Sequence, residues 1–202
     1  MAEVSITKTE QLKAIRDAVV NLTDSSLYAY RIENHYFPVI GEGSHDAKIM
    51  FIGEGPGKNE AATGRPFCGA AGKLLDELLV SIDIPRDSVY ITNILKDRTP
   101  NNRDPLPEEI KTYAPFLDQQ IDIIKPVVIA TLGRFSMEYI MKKFGLENSL
   151  APISKIHGKT FSVTSLFGKI VIMPLYHPAA AIYTRDLIPV LKEDFKILKE
   201  LV

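Results

Sequence analysis

Three short stretches carry residue types that could do chemistry. The first is glycine-rich: Gly53-Glu54-Gly55-Pro56-Gly57, continued by Gly64-Arg65-Pro66-Phe67-Cys68-Gly69-Ala70-Ala71-Gly72. Glycine lets backbone approach a ligand closely and take dihedral angles that other residues avoid. The second is Asn93, directly after a short apolar run. Its amide offers a donor and an acceptor together. The third is Tyr176-His177-Pro178-Ala179-Ala180. A histidine between a strand and a helix can donate to an oxygen that gains negative charge. Each has an ordinary structural reading as well: a surface loop, a turn asparagine, a helix-capping histidine. Phosphate-loop readings fail on spacing. One ending at Gly57-Lys58 needs glycine where Ile52 stands, and one ending at Gly72-Lys73 needs it where Phe67 stands.

The elements that must position these residues follow from periodicity. Leu12, Ile15, Val19 and Leu22 fall at helical spacing and predict a helix over about Thr9 to Leu22, capped by Thr7 or Thr9. A less regular stretch runs to His45. Lys48–Gly53, Val89–Thr92 and Val127–Leu132 read as buried strands. Helices are predicted near Ala70–Ser81, from Pro107, over Gly133–Phe144 and from Leu187 to Val202. Pro107-Glu108-Glu109 places carboxylates in a first turn, where the helix dipole favours them. Thr160–Thr164 and Lys169–Pro174 read as strands paired through a turn near Phe167-Gly168.

Strands alternating with helices predict a three-layer α/β/α sandwich, its central sheet largely parallel and four- to five-stranded. Ligands of such sheets sit at the carboxyl ends of the strands. The loops after Gly53, Thr92 and Leu175 would all open there.

The 202 residues fit a single domain over 1–202. A net charge of −1 argues against DNA binding through bulk charge, so any such contact needs a local basic surface. Lys96, Arg98, Arg103, Lys155, Lys159 and Arg185 lie in predicted loops, where they read either as phosphate contacts or as solvated surface. His35, His45 and His157 read as loop or surface residues without a role. One cysteine, Cys68, excludes an internal disulfide and any multi-cysteine metal site. The opening residues lack the apolar core of a secretory signal, and no apolar run approaches membrane-spanning length. An intracellular protein without membrane contact is expected.

In order and spacing, GEGPG, GRPFCGAAGKLLDELL, VYITN, LKDRTPNNRDPLPEEI, LGR and YHPAA resemble the uracil-DNA glycosylase superfamily. The resemblance spans roughly Lys48 to Arg185 and is nearest to family 4, the thermostable iron–sulfur type. Family 5 usually has an apolar residue where this chain has Glu54. Family 4 usually carries four cysteines holding a [4Fe–4S] cluster. Two of those positions correspond here to Asp97 and Tyr113, and none of residues 21–31 is cysteine. No cluster or other metal is therefore expected. Ordinary packing, through Tyr28, Tyr30, Tyr36 and Tyr113, would tie the region instead.

The resemblance implies a repair enzyme acting on uracil-containing DNA, as a monomer. The base must leave the stack to be read. Phe67 would stack on the flipped uracil. Asn93 would read its edge, where O4 accepts and N3 donates; cytosine reverses that pattern. Glu60 would stand near C5 and crowd out thymine's methyl group. Gly55 and its loop would add backbone donors. His177 would donate to O2 as uracil leaves, and Glu54 would oppose the sugar cation and orient water. Ile182 or Tyr183 would wedge into the duplex. Arg185, Arg65, Arg98 and Arg103 would meet phosphates.

Overall fold

Alternating apolar side chains along four central strands feed two separate cores, one on each face of a single sheet. Met50 and Ile52 point to one core and Ile49 and Phe51 to the other. Because both faces are covered, every residue of the strand Ile49–Gly53 is buried. The structure is a computed structural model describing residues 6–202. The first five residues, part of the stretch read as lacking a secretory signal, lie outside it.

In chain order the elements are α1 (Lys8–Val20), α2 (Tyr28–Glu33), β1 (Glu42–Gly43), β2 (Ile49–Gly53), α3 (Lys58–Thr63), α4 (Ala70–Val80), β3 (Tyr90–Asn93) and α5 (Pro107–Ile124). There follow β4 (Val128–Leu132), α6 (Arg134–Lys143), α7 (Ile153–Ile156), β5 (Phe161–Ser165), β6 (Gly168–Leu175), α8 (Pro178–Tyr183) and α9 (Leu187–Lys199). The sheet order is β1-β3-β2-β4-β6-β5. The middle four strands are parallel, and β1 and β5 pair antiparallel at the edges. The sheet thus has six strands. The additional one, β1, is two residues long, too short to leave a period in the sequence.

Helices α1, α5 and α6 pack on one face, and α4, α8 and α9 on the other. Thr7 caps α1 in a capping box with Glu10. Leu75, Leu78 and Leu79 of α4 are fully enclosed, and each contributes about 1.5–3 kcal/mol by leaving water. The turn between β5 and β6 closes the expected hairpin. Two short helices, α3 and α8, are six residues each and begin beside Gly57 and His177.

The corner between α1, α2 and α5 is held by charge as well as by aromatic rings. Arg31 and Asp97 form a buried ion pair at 3.1 Å. Arg31 also donates to the carbonyls of Val19 and Val20, which close the end of α1. Tyr113 donates to Asp97 at 2.6 Å and accepts from Ser25 at 2.7 Å. Tyr28 lies against the Arg31 guanidinium, and Tyr30 meets Tyr36 edge-on. Tyr28 and Tyr113 thus meet the Arg31–Asp97 pair, while Tyr30 and Tyr36 gather around Arg98; packing considerations alone did not suggest the ion pair.

Candidate active site

Three strand ends build one cavity. β2 ends at Gly53 and delivers Glu54; β3 ends at Asn93; β6 ends at Leu175 and leads to His177. The pairing of β2 with β3 continues past the sheet, where Ile94 donates to Gly53 O and Leu95 to Glu54 O, both at 3.0 Å. Glu54 and Asn93 are thereby held side by side. The resulting cavity has a volume of about 360 Å³, and Glu54, Gly55, Glu60, Phe67, Asn93 and His177 all line it. These residues span more than 120 positions of chain and meet because parallel strands put their carboxyl ends at one rim.

Phe67, Glu60 and His177 are fixed from behind. Phe67 sits at a positive φ of 47°, a conformation costly for a bulky residue. Glu60 holds it there: its Oε1 accepts from the backbone N–H groups of Cys68 and Gly69 at 3.0 and 2.8 Å. A β-carbon on Gly72 would lie 1.7 Å from the Phe67 carbonyl oxygen, so that turn tolerates glycine alone. Phe67 stacks on the His177 ring at 5.5 Å. The backbone N–H of Ala179 donates to His177 Nδ1 at 3.1 Å. Nδ1 is therefore the acceptor and Nε2 carries the proton. Burial pushes the His177 imidazole down to about 4, so it is neutral near pH 7.

Asn93 is buried, and its Oδ1 has no hydrogen-bond partner. Leaving a buried acceptor unpaired costs about 1–3 kcal/mol, so the atom is poised for a ligand donor. Gly53 makes room for it: a β-carbon there would fall 2.3 Å from Asn93 Oδ1 and 2.9 Å from Phe67 Cζ. Burial, and secondarily the charge of Asp104, push Glu54 up to about 7, while Arg134 opposes them. Arg134 and Asp104 form an ion pair.

A family model for the uracil DNA glycosylase superfamily matches residues 40–199. The chain belongs to the uracil-DNA glycosylase superfamily. It is similar to the type-4 uracil-DNA glycosylase of Sulfurisphaera tokodaii, 45% identical over 95% of this chain and 85% of that one. The type-4 enzyme of Archaeoglobus fulgidus is 44% identical over 85% of this chain and 84% of its own. That of Saccharolobus solfataricus is 44% identical over 95% and 86%. In this superfamily member the matched region carries every residue that lines the cavity.

The expected DNA contacts fall outside the cavity and differ among themselves. Ile182, Tyr183 and Arg185 are exposed on and just after α8. Arg65 is held by both carboxylate oxygens of Glu42. Arg98 donates to Asn102 and Tyr36, and Arg103 to Glu109. Lys155 and Lys159 are exposed. Lys96 is not a surface cation at all: it is fully buried and points inward.

Sequence reasoning missed two groups. Asp104 and Arg134 act on Glu54; they stand in the LKDRTPNNRDPLPEEI and LGR runs, where nothing local marks either as a neighbour of Glu54. His157, set aside as a loop residue, pairs with Asp194 at 2.8 Å and packs at 4.6 Å on Tyr176, the neighbour of His177. Nothing local marks His157, because Asp194 lies 37 residues away on α9. Among the described residues no cluster of three or more His, Cys, Asp or Glu could hold a metal ion, and no helix is long and apolar enough to cross a membrane.

Proposed function

We propose that this protein is a monofunctional uracil-DNA glycosylase that hydrolyses the N-glycosidic bond of a flipped-out deoxyuridine, releasing uracil and leaving an abasic site. The observation that carries this reading is the joint placement of the unpaired Asn93 Oδ1 and the Nε2–H of His177 in one cavity. The first accepts from uracil N3–H; the second donates to O2.

The C1′–N1 bond breaks with its electron pair going to the base. The base leaves as an anion delocalised toward O2 and O4, where a neutral His177 donor stabilises it without first losing a proton. Phe67 stacks on the ring, and Glu60 crowds C5. The sugar becomes cationic, and ionised Glu54 opposes that charge and orients water toward C1′. The water oxygen bonds to C1′, and its proton is taken up by Glu54 and passed to solvent.

Ile182 or Tyr183 fills the gap left by the flipped base, and Arg185 meets a phosphate. Arg65, Arg98 and Arg103 reach phosphates by exchanging their present partners. The protein acts as a monomer within the cell, folded as one domain.

The residues present do not fit an iron–sulfur cluster. The single cysteine, Cys68, lies beside Thr63 near the cavity, far in sequence from Asp97 and Tyr113. Those two residues spend their polar atoms on Arg31 and Ser25. The glycosylase reading therefore involves no iron–sulfur cluster.

A uracil-containing oligonucleotide incubated with the protein in EDTA tests the proposal. Free uracil and an alkali-labile abasic site are expected. Retention of uracil-DNA without strand lability would instead show a binding protein. Comparing uracil, thymine, cytosine and hypoxanthine substrates defines the base range.

A further inference from the structure

Lys96 is the most thoroughly enclosed cation among the described residues, with no exposed surface and no carboxylate within ion-pair distance. Its ammonium donates to three oxygens: Asn93 O at 2.7 Å, Thr92 Oγ1 at 2.8 Å and Gln120 Oε1 at 2.6 Å. Each acceptor is neutral and oriented from behind. Thr92 gives its own proton to Ile40 O at 2.6 Å. Gln120 gives its Nε2 protons to Ile40 O and Tyr90 Oη. That leaves the Thr92 oxygen and Gln120 Oε1 free to accept.

Three acceptors match the three protons of an ammonium; a neutral amine has two. Burial pulls Lys96 down to about 7, and the three short contacts act in the opposite direction. An ammonium placed in a core without a counter-ion is expensive, and apolar residues would serve packing better. The position of this charge explains its presence. It lies against the carbonyl of Asn93, whose side chain carries the orphaned acceptor of the cavity.

We infer that Lys96 is a positioning residue of the base pocket: it fixes Asn93 and places an uncompensated positive charge behind the base, favouring its departure as an anion. The inference rests on the glycosylase reading given above. A purely structural lysine would cement β3 to α5 and affect all substrates alike. A charge that stabilises the leaving anion matters most when the leaving group is poor.

Single-turnover release of uracil and of 5-fluorouracil from matched oligonucleotides separates these possibilities. Fluorine makes N1 more acidic, so 5-fluorouracil leaves as an anion with less help. Lys96→Gln removes the charge and retains an amide donor. Gln120→Glu retains the lysine and adds a counter-charge.

In both variants the uracil rate should fall by about ten- to a hundredfold, the scale of one charge acting through an effective dielectric of about 20. The ratio of the 5-fluorouracil to the uracil rate should rise several-fold above wild type. Variants that melt as wild type does and keep the wild-type ratio overturn the role of Lys96. If Lys96→Gln does not fold, Gln120→Glu decides alone. A wild-type protein that releases neither base overturns the glycosylase reading itself, so the two failures are distinct.

Discussion

The backbone N–H of Ala179 donates to Nδ1 of His177, two residues earlier, and this one bond fixes the tautomer of the imidazole. With Nδ1 accepting, the proton resides on Nε2, the nitrogen free to donate into the cavity. His177 is at once the cap of α8 and, in the proposed function, the donor for the leaving base.

His177→Ala should slow uracil release by about 10²–10³, the usual effect of losing one preorganised donor. His177→Asn, which restores a donor, should recover part of the loss. Because burial holds the imidazole near 4, wild-type activity should show no limb between pH 6 and 7 from this group. Stability has the opposite signature. The unfolded chain binds this proton near 6.5 and the folded one near 4, so stability falls as pH drops through that window. His177→Ala should flatten the fall, as thermal melts at pH 7 and pH 5 would reveal.

Glu54 must be ionised to oppose a sugar cation, and its carboxyl is pushed up to about 7. Ionisation of Glu54 should therefore contribute a limb that rises with pH through about 7, opposed by loss of the Lys96 charge over the same range. Asp104→Asn removes a charge that raises this value and should move the limb to lower pH; Arg134→Ala should move it higher. Folding favours the protonated form, so the stability gained from it is complete below the unfolded value of about 4.5 and lost as pH rises through 7. Glu54→Gln should accordingly be nearly inactive yet melt higher than wild type at pH 8. An equal or lower melting temperature would contradict the buried-carboxylate account.

Gly53→Ala crowds the two side chains that would hold the base, Asn93 and Phe67. Gly53 has no positive φ, so its backbone accepts alanine, but the new methyl group would sit 2.3 Å from Asn93 Oδ1. The amide must move. We expect a loss of uracil release of about 10² or more, comparable with removing a preorganised group, in a protein that still folds. Wild-type rates in Gly53→Ala would show that Asn93 does not read the base from this position.

The Arg31–Asp97 pair should matter to stability and not to chemistry. Both side chains are buried. Arg31→Met leaves the Asp97 charge uncompensated and should cost about 3–5 kcal/mol, read by denaturant unfolding. Activity at a temperature where the variant is folded should stay near wild type. Purified wild-type protein should contain no stoichiometric iron by metal analysis.

The alternation of strands and helices, the capping of α1 and the hairpin of β5 and β6 are written in local patterns: side-chain period, a Thr-x-x-Glu pair, a glycine at a turn. The cavity residues were legible for a related reason. Glu54, Asn93 and His177 each stand at or just after the end of an apolar run, and parallel strands bring such ends together, while Phe67 lies in the glycine-rich run that follows Glu54. Tertiary structure alone decided the rest, because it depends on partners distant in sequence. Lys96 looks like any loop lysine until Gln120, 24 residues on, turns an oxygen toward it. Arg65 looks free until it meets Glu42, and His157 looks idle until α9 brings Asp194 to it. A sequence records which groups can ionise or donate; only the folded chain settles what each one faces, and that environment determines its charge, its tautomer and its work.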